Sequence, residues 1–379
     1  MSAGAERLRV LLFGRLADRD FGGLERHVRS LVDALEADVN YVNLVADRGV
    51  PMADFWRCPV VAVPSLGKLA SVYLCPAMPL AARRLHREHR FHLAHLHLPD
   101  PMAHLAALAL PADVPLVLTW HSDIVAQRLL LGPYRPFLRR LVARAAAVIA
   151  PTPAHFTSMP QLAALTRPAQ RVTVPFGFDL SGLSRPHPKR AALRAEFGPR
   201  VVFSVGRHVY YKGLDYLLRA MADLPDTQLV IGGSGPLTAR LRQSALELGV
   251  ATRVRFVGRI PDEDLAAYYQ ACDVFCLPSV DPSEAFGIVQ LEAMACAKPV
   301  VSCELHNGVT WVNRDGETGL VVPPRAPRAL AAALERLLAD AALRARLGAS
   351  GARRAQGEFS LGALREQTLA VYQGAIDAR

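Results

Sequence analysis

The chain has 379 residues, 51% of them hydrophobic, and a formal charge of +10 at pH 7. That length is too great for one ordinary domain and comfortable for two, and the apolar content fills two cores, which excludes a disordered or fibrous chain. The charge rests on forty arginines and only four lysines (Lys68, Lys189, Lys212 and Lys298), with no basic block interleaved with aromatics, so no nucleic-acid partner is implied.

The arginine excess has two readings: a solvated surface shaped by compositional bias, or attraction to anionic lipids and phosphate-bearing substrates. The six cysteines (Cys58, Cys75, Cys272, Cys276, Cys296 and Cys303) form no C-x-x-C pair. Cys272, Cys276 and Cys303 adjoin apolar runs and read as small core residues in a reducing compartment. No apolar run is long enough to span a bilayer, and the N-terminus leads straight into a strand pattern. The expectation is a cytoplasmic protein whose membrane contact, if any, is peripheral.

Along the first half, short apolar runs at 8–14, 39–46, 58–64, 93–99, 115–121, 146–152 and 171–177 predict strands. They are continuous rather than alternating, as parallel strands covered on both faces should be. A helix is predicted at 22–37, with Leu24, Val28, Leu31 and Leu35 on one stripe. Gly22 and Gly23 open it, and a glycine pair there lets an anion come close to backbone N–H groups. His95 and His97 share one strand face, without a carboxylate or third ligand at a metal-binding spacing. His121 follows the run 115–119 in the motif T-W-H-S-D-I. Arg83, Arg87 and Arg90 fall on one predicted helical face, and Arg135, Arg139, Arg140 and Arg144 load another. Both segments are either solvated faces or contacts for anionic lipid head groups.

The pattern restarts with runs at 200–206, 227–233, 253–259, 273–279, 298–304 and 319–324, again separated by helices, and ends in helices at 325–339, 341–356 and 361–377. Two βα series predict two doubly wound α/β domains, with ligands beyond the carboxyl ends of the strands. The stretch 179–199 holds Pro186 and Pro188 and no strand pattern, so the linker is placed there. The domains are drawn at 1–182 and 183–356, followed by a helical tail at 357–379 that packs back on the first.

After the run 200–206, Gly206 permits a tight turn, and Arg207 and Lys212 set two cations near a helix start, an arrangement suited to phosphate. Lys212 is notable because lysine is so scarce. The loop Gly232-Gly233-Ser234-Gly235-Pro236 is either a ligand approach or a plain βα turn; it is not a G-x-G-x-x-G fingerprint, which counts against a nicotinamide oxidoreductase. The densest stretch runs from Pro278 and Ser279 through Glu284, Phe286, Gly287 and Ile288 to Glu292. A helix opening near Gly287 offers free N–H groups to a diphosphate, Glu284 stands just ahead of it to accept from sugar hydroxyls, and Glu292 lies one and a half turns inside, within reach of a ribose diol.

The pattern E-A-F-G-I-V-Q-L-E, together with V-G-R…K-G, G-G-S-G-P-L, F-V-G-R, D-V-F-C-L-P-S and G-E-T-G-L, resembles the retaining glycosyltransferases of family 4. The resemblance is most specific between 200 and 325 and covers essentially the whole chain. It implies the GT-B fold, two Rossmann-like domains facing a central cleft. It also implies transfer of a hexose, mannose or a related sugar, from a nucleotide diphosphate-sugar (GDP- favoured over UDP-) to a saccharide or lipid-linked acceptor in cell-surface polysaccharide or lipopolysaccharide synthesis. By the same resemblance Arg207 and Lys212 bind the diphosphate, Glu284 the transferred sugar and Glu292 the ribose. Val257, Gly258, Arg259, Pro278 and Ser279 flank the base, and Gly22, Gly23, Gly206, Gly233, Phe286, Gly287 and Ile288 complete the donor site. His121 bonds the sugar near its reacting carbon. No metal and no separate cofactor is implied, since the cations and the helix end replace a metal. T-W-H-S-D-I is closest to O-antigen and exopolysaccharide mannosyl- and rhamnosyltransferases. His306 and Asn307 depart from the family, where smaller residues are expected. Two other classes share the architecture: a nucleotide-sugar 2-epimerase, which would lack E-x7-E, and a non-catalytic binding protein of transferase ancestry.

Overall fold

In a computed structural model the chain is described at residues 6–14, 23–47, 57–69, 72–121, 123 and 128–378. It divides into two compact units, one formed by Met1–Phe178 with Leu361–Arg379, the other by Asp179–Ser360. The boundaries fall four residues from the expected 182/183 and 356/357. Nor is 179–199 all linker, because Arg190–Phe197 is a helix of the second unit, where Arg194 bonds both carboxylate oxygens of Asp273.

The first unit holds strands β1 (Leu8–Phe13), β2 (Val39–Ala46), β3 (Val60–Val63), β4 (Lys68–Leu69), β5 (Val72–Tyr73), β6 (Leu93–Leu98), β7 (Leu116–Trp120), β8 (Ala145–Ala150) and β9 (Arg171–Thr173). Seven of them form one parallel sheet in the order β3-β2-β1-β6-β7-β8-β9; β4 and β5 form a small antiparallel hairpin that the hydrophobic pattern did not signal. Along β1, Leu11 and Phe13 join one apolar cluster while Val10 and Leu12 join the other. Burial on both faces explains the continuous apolar runs. The second face is covered by the helices Gly23–Leu35 and Leu361–Asp377, the latter supplying Leu364, Val371 and Tyr372.

The second unit holds β10 (Val201–Val205), β11 (Gln228–Gly232), β12 (Val254–Gly258), β13 (Val274–Leu277), β14 (Val300–Cys303) and β15 (Gly319–Val322), all parallel, in the order β12-β11-β10-β13-β14-β15. The order reverses between β10 and β13, the kind of point at which open α/β sheets bind ligands. The predicted phosphate and sugar residues lie on the loops after these two strands. Five of the six cysteines are buried and none is bonded to another, and burial pushes the Cys272 and Cys303 thiols up to about 12.

Candidate active site

Beside and at the reversal point of the second unit the strand-end loops are pressed together backbone to backbone. Gly233 has φ +100, and a Cβ there would lie 2.0 Å from the Gly206 carbonyl oxygen. Only glycine allows that approach, so the G-G-S-G loop serves close packing of the β10 and β11 ends. The Val280 amide donates to the Tyr211 carbonyl at 2.8 Å, tying the loop after β10 to the loop after β13. This crossing delivers Lys212 to Glu284: Nζ lies 2.6 Å from Oε2, and the two side chains keep only 13% and 11% of their exposure. Ser279 Oγ donates to the same oxygen at 3.0 Å. Arg207 stands exposed at the rim of a small pocket that it lines with Gly206, Lys212 and Pro278. The structure therefore brings Gly206, Arg207, Lys212, Pro278, Ser279 and Glu284 to one place.

The helix that follows is Ile288–Ala295, capped by Gly287 at φ +71. Phe286 is buried and Ile288 half-buried at its start. Glu292 is buried, and its Oε2 accepts from the Tyr269 hydroxyl at 2.8 Å. Burial, with the carboxylate close by, pushes the Tyr269 pKa well above its ordinary value, so the phenol stays a donor. Val257 and Gly258 close β12 half-buried, and Arg259 beyond them is exposed. Asn307 serves the local structure. Its side chain caps the helix Gly308–Val312 and donates to the Glu284 carbonyl at 2.8 Å, holding the acid's backbone in place. His306, by contrast, is exposed and beside Glu304.

In the first unit the order reverses between β1 and β6, and a histidine cluster occupies the carboxyl ends there. His97 Nδ1 and His121 Nε2 are 2.9 Å apart. His27, from the helix after β1, brings its ring to 5.7 Å from that of His97 and 5.5 Å from that of His121, centre to centre. Burial lowers its pKa to about 3, so it is neutral at pH 7. His95 stands apart in function: Nδ1 pairs with the Tyr372 hydroxyl and Nε2 with Thr119 Oγ1, both at 2.7 Å. Tyr372 also pairs with Tyr41 at 2.9 Å. Gly22 lies outside the described residues; Gly23 begins the helix.

Residues 21–181 match the family model described as Glycosyltransferase Family 4, and residues 188–354 match Glycosyl transferases group 1. The D-rhamnosyltransferase WbpZ of Pseudomonas aeruginosa is 38% identical over 63% of the chain, a match that spans only 62% of that relative. The O-antigen chain mannosyltransferase C of Escherichia coli is 33% identical over 71% of the chain and 72% of its own length. The chain belongs to glycosyltransferase family 4. Among solved structures, Alr3699/HepE of Anabaena, crystallised in complex with UDP, superposes with a TM-score of 0.80 at 21% identity, over 96% of this chain and 99% of that one, which supports the GT-B fold.

Within this family member, sequence reasoning missed His27, Tyr372 and the structural role of Asn307. The third histidine near His97 exists after all, on a helix seventy residues upstream. Its only signal was a polar residue on the apolar stripe of 22–37. The basic helices need a correction. Arg90 ends the helix Met78–His89 in a left-handed conformation, Arg83 Nε donates to the Ala109 carbonyl, and Arg144 holds the carbonyls of Ala107, Pro111 and Val114. Arg87, Arg135, Arg139 and Arg140 remain exposed. No helix among the described residues is long and apolar enough to cross a membrane.

Proposed function

We propose that this chain transfers a hexose, mannose or a related sugar, from a nucleotide diphosphate-sugar to a saccharide or lipid-linked acceptor in cell-surface polysaccharide synthesis, with retention at the anomeric carbon. The observation that carries this reading is the Lys212–Glu284 pair at the strand-order reversal, beside the glycine-capped helix start at Gly287. Arg207, Lys212 and the helix end offset the charge that grows on the leaving diphosphate, without a metal. Glu284, held by Ser279 and Lys212, accepts from sugar hydroxyls; Glu292 accepts from the ribose; His121 bonds the sugar. The departing phosphate oxygen takes the acceptor proton. A GDP-sugar is favoured because the relatives act as rhamnosyl- and mannosyltransferases in name.

The acceptor, in this reading, is carried at a membrane surface. Its support is Arg87 and the exposed Arg135, Arg139 and Arg140, together with leucines bared around the β4–β5 hairpin: Leu66 at 80% exposure, Leu69 at 62%, and Leu80 on the next helix at 70%. Sedimentation with anionic vesicles but not neutral ones is the expected result.

Melting curves with GDP, UDP, ADP and dTDP test the donor. A nucleotide at a hundredfold its Kd stabilises by about 2.7 kcal/mol, and GDP alone is expected to do so. Incubation with GDP-mannose but no acceptor should leave the donor intact. An isomerised donor would point to the epimerase, and binding without consumption in the presence of acceptor to a non-catalytic protein.

A further inference from the structure

We propose that His27, His97 and His121 form a binding site for one divalent transition-metal ion, with zinc the best fit. One ring nitrogen from each lies within 4.8 Å of the others. Two of the rings already meet in a hydrogen bond, His97 Nδ1 to His121 Nε2 at 2.9 Å, which an ion would replace. Zinc–imidazole bonds of about 2.0–2.1 Å in a tetrahedral site put ligand nitrogens roughly 3.3 Å apart. Side-chain rotations of order 1 Å therefore convert this cluster into a ligand set.

His27 supplies the third imidazole, and one of its own nitrogens is unspent. His27 is 3% exposed, and its Nδ1 has no hydrogen-bond partner. A buried imidazole nitrogen left in that condition is costly, and a metal ion is one of few groups that satisfies it. Burial also keeps His27 neutral, the form that ligates. The ring sits 4.3 Å from that of Phe176, which fixes its place without offering a polar partner.

The neighbours separate this set from an ordinary buried network. The His95 ring lies tilted against that of His97, 4.7 Å centre to centre, but has both nitrogens committed to Tyr372 and Thr119, so it supports the set and does not join it. The nearest carboxylate in sequence, Asp123, accepts from Trp120 Nε1 and the Gln161 amide. The protein thus offers three imidazoles and no fourth ligand among the described residues. That is the pattern of a zinc site with an open position, taken by water or another small ligand. Neutral imidazoles favour zinc, copper or nickel over magnesium or calcium. His121 is half-exposed, which gives the ion a way in.

Binding itself does not depend on the transferase reading. A consequence for catalysis does: an ion on His121 withdraws the imidazole that the proposed transfer uses, so the ion would inhibit. The test measures binding. The full chain, stripped of metal with a chelator, is titrated with cobalt(II) and followed through its visible d–d bands, then with zinc as competitor, with stoichiometry from equilibrium dialysis. One ion per chain is expected, with nitrogen-type cobalt bands, and affinity at least tenfold weaker in His27→Phe and in His121→Ala. Should His27→Phe fail to fold in a melting assay, His121→Ala, at the half-exposed position, decides alone. The proposal is overturned by absent stoichiometric binding, by affinity unchanged in the folded variants, or by thiolate charge-transfer bands that put the ion on cysteine.

Discussion

The two units share a parallel-sheet plan and place their polar clusters at equivalent points, beyond the strands where the order reverses. At the ends of β10 and β13 the second unit keeps a lysine and a carboxylate in contact, each nearly buried. Around the ends of β1, β6 and β7 the first keeps imidazoles, and burial drives His27 and the neighbouring His95 to pKa values of about 3. One solution retains charge by pairing it; the other removes charge by desolvation. A paired charge is ready to meet an anion, whereas a neutral imidazole offers a lone pair or a single proton. The same sheet plan thus carries two kinds of polar chemistry, one in each unit.

The comparison breaks most directly at the charged pair. Lys212→Ala and Glu284→Ala should each lower turnover by roughly 10²–10³, the usual cost of losing one group that stabilises transition-state charge. Each also strands a nearly buried partner, at about 3–5 kcal/mol of stability. A double variant, Lys212→Met with Glu284→Gln, should melt higher than either single one while remaining inactive. That separates the two effects, and near-wild-type turnover in a folded single variant would reject the site.

Acid sharpens the contrast from the other side. Besides the cluster, the first unit buries His104 with a pKa of about 3 and His155 with one of about 4, both from desolvation. Unfolded, each takes a proton below about 6.5; folded, neither does until far lower. Their contribution to stability is therefore complete above pH 6.5 and is lost as the pH falls toward 4 for His155 and toward 3 for His104, at about 1.4 kcal/mol per pH unit for each histidine. Hydrogen exchange at pH 7, 6 and 5, corrected for intrinsic rates, should show the first unit losing protection ahead of the second. Loss in the second unit first would contradict this.

A third substitution probes how the imidazole side is held. Tyr372→Phe removes the hydroxyl that pairs with both Tyr41 and His95 and leaves two buried polar groups short of a partner. About 1–3 kcal/mol of destabilisation is expected in chemical denaturation. No change would mean that water takes the hydroxyl's place.

These contacts also mark where the sequence stops being legible. The two βα series could be read directly, because strands buried on both faces are apolar without interruption. The segment from Pro278 to Glu292 could be read because the strand end, the acid and the helix start are contiguous. Lys212 and Glu284 lie seventy-two positions apart, yet each sits just after a strand, so a rule about strand ends brings them together. That rule reaches His121, just after β7, but not His97 inside β6 or His27 on the helix after β1; the three meet because β1, β6 and β7 are neighbours in the sheet. Tyr372 is further still, arriving on the helix Leu361–Asp377 to bond a residue of β6. Within the stretch 179–199 the prolines mask the helix Arg190–Phe197, whose Arg194 is anchored to Asp273.

The smallest expected effect is the finest test of the charged side. Ser279 Oγ gives Glu284 its second fixed contact, on the same oxygen that meets Lys212. In Ser279→Ala the carboxylate keeps its ion pair, and the vacated space lies where a strand-end loop can relax, so the stability loss should be about 1 kcal/mol, read from the melting midpoint. A carboxylate with one restraint less still binds sugar hydroxyls but orients them less well, which should lower kcat severalfold with little change in KM. A collapse as deep as that of Lys212→Ala would mean that the hydroxyl itself contacts the donor. Wild-type kinetics would mean that Lys212 alone aligns the acid, and the pairing seen between β10 and β13 would then be the whole of the positioning device.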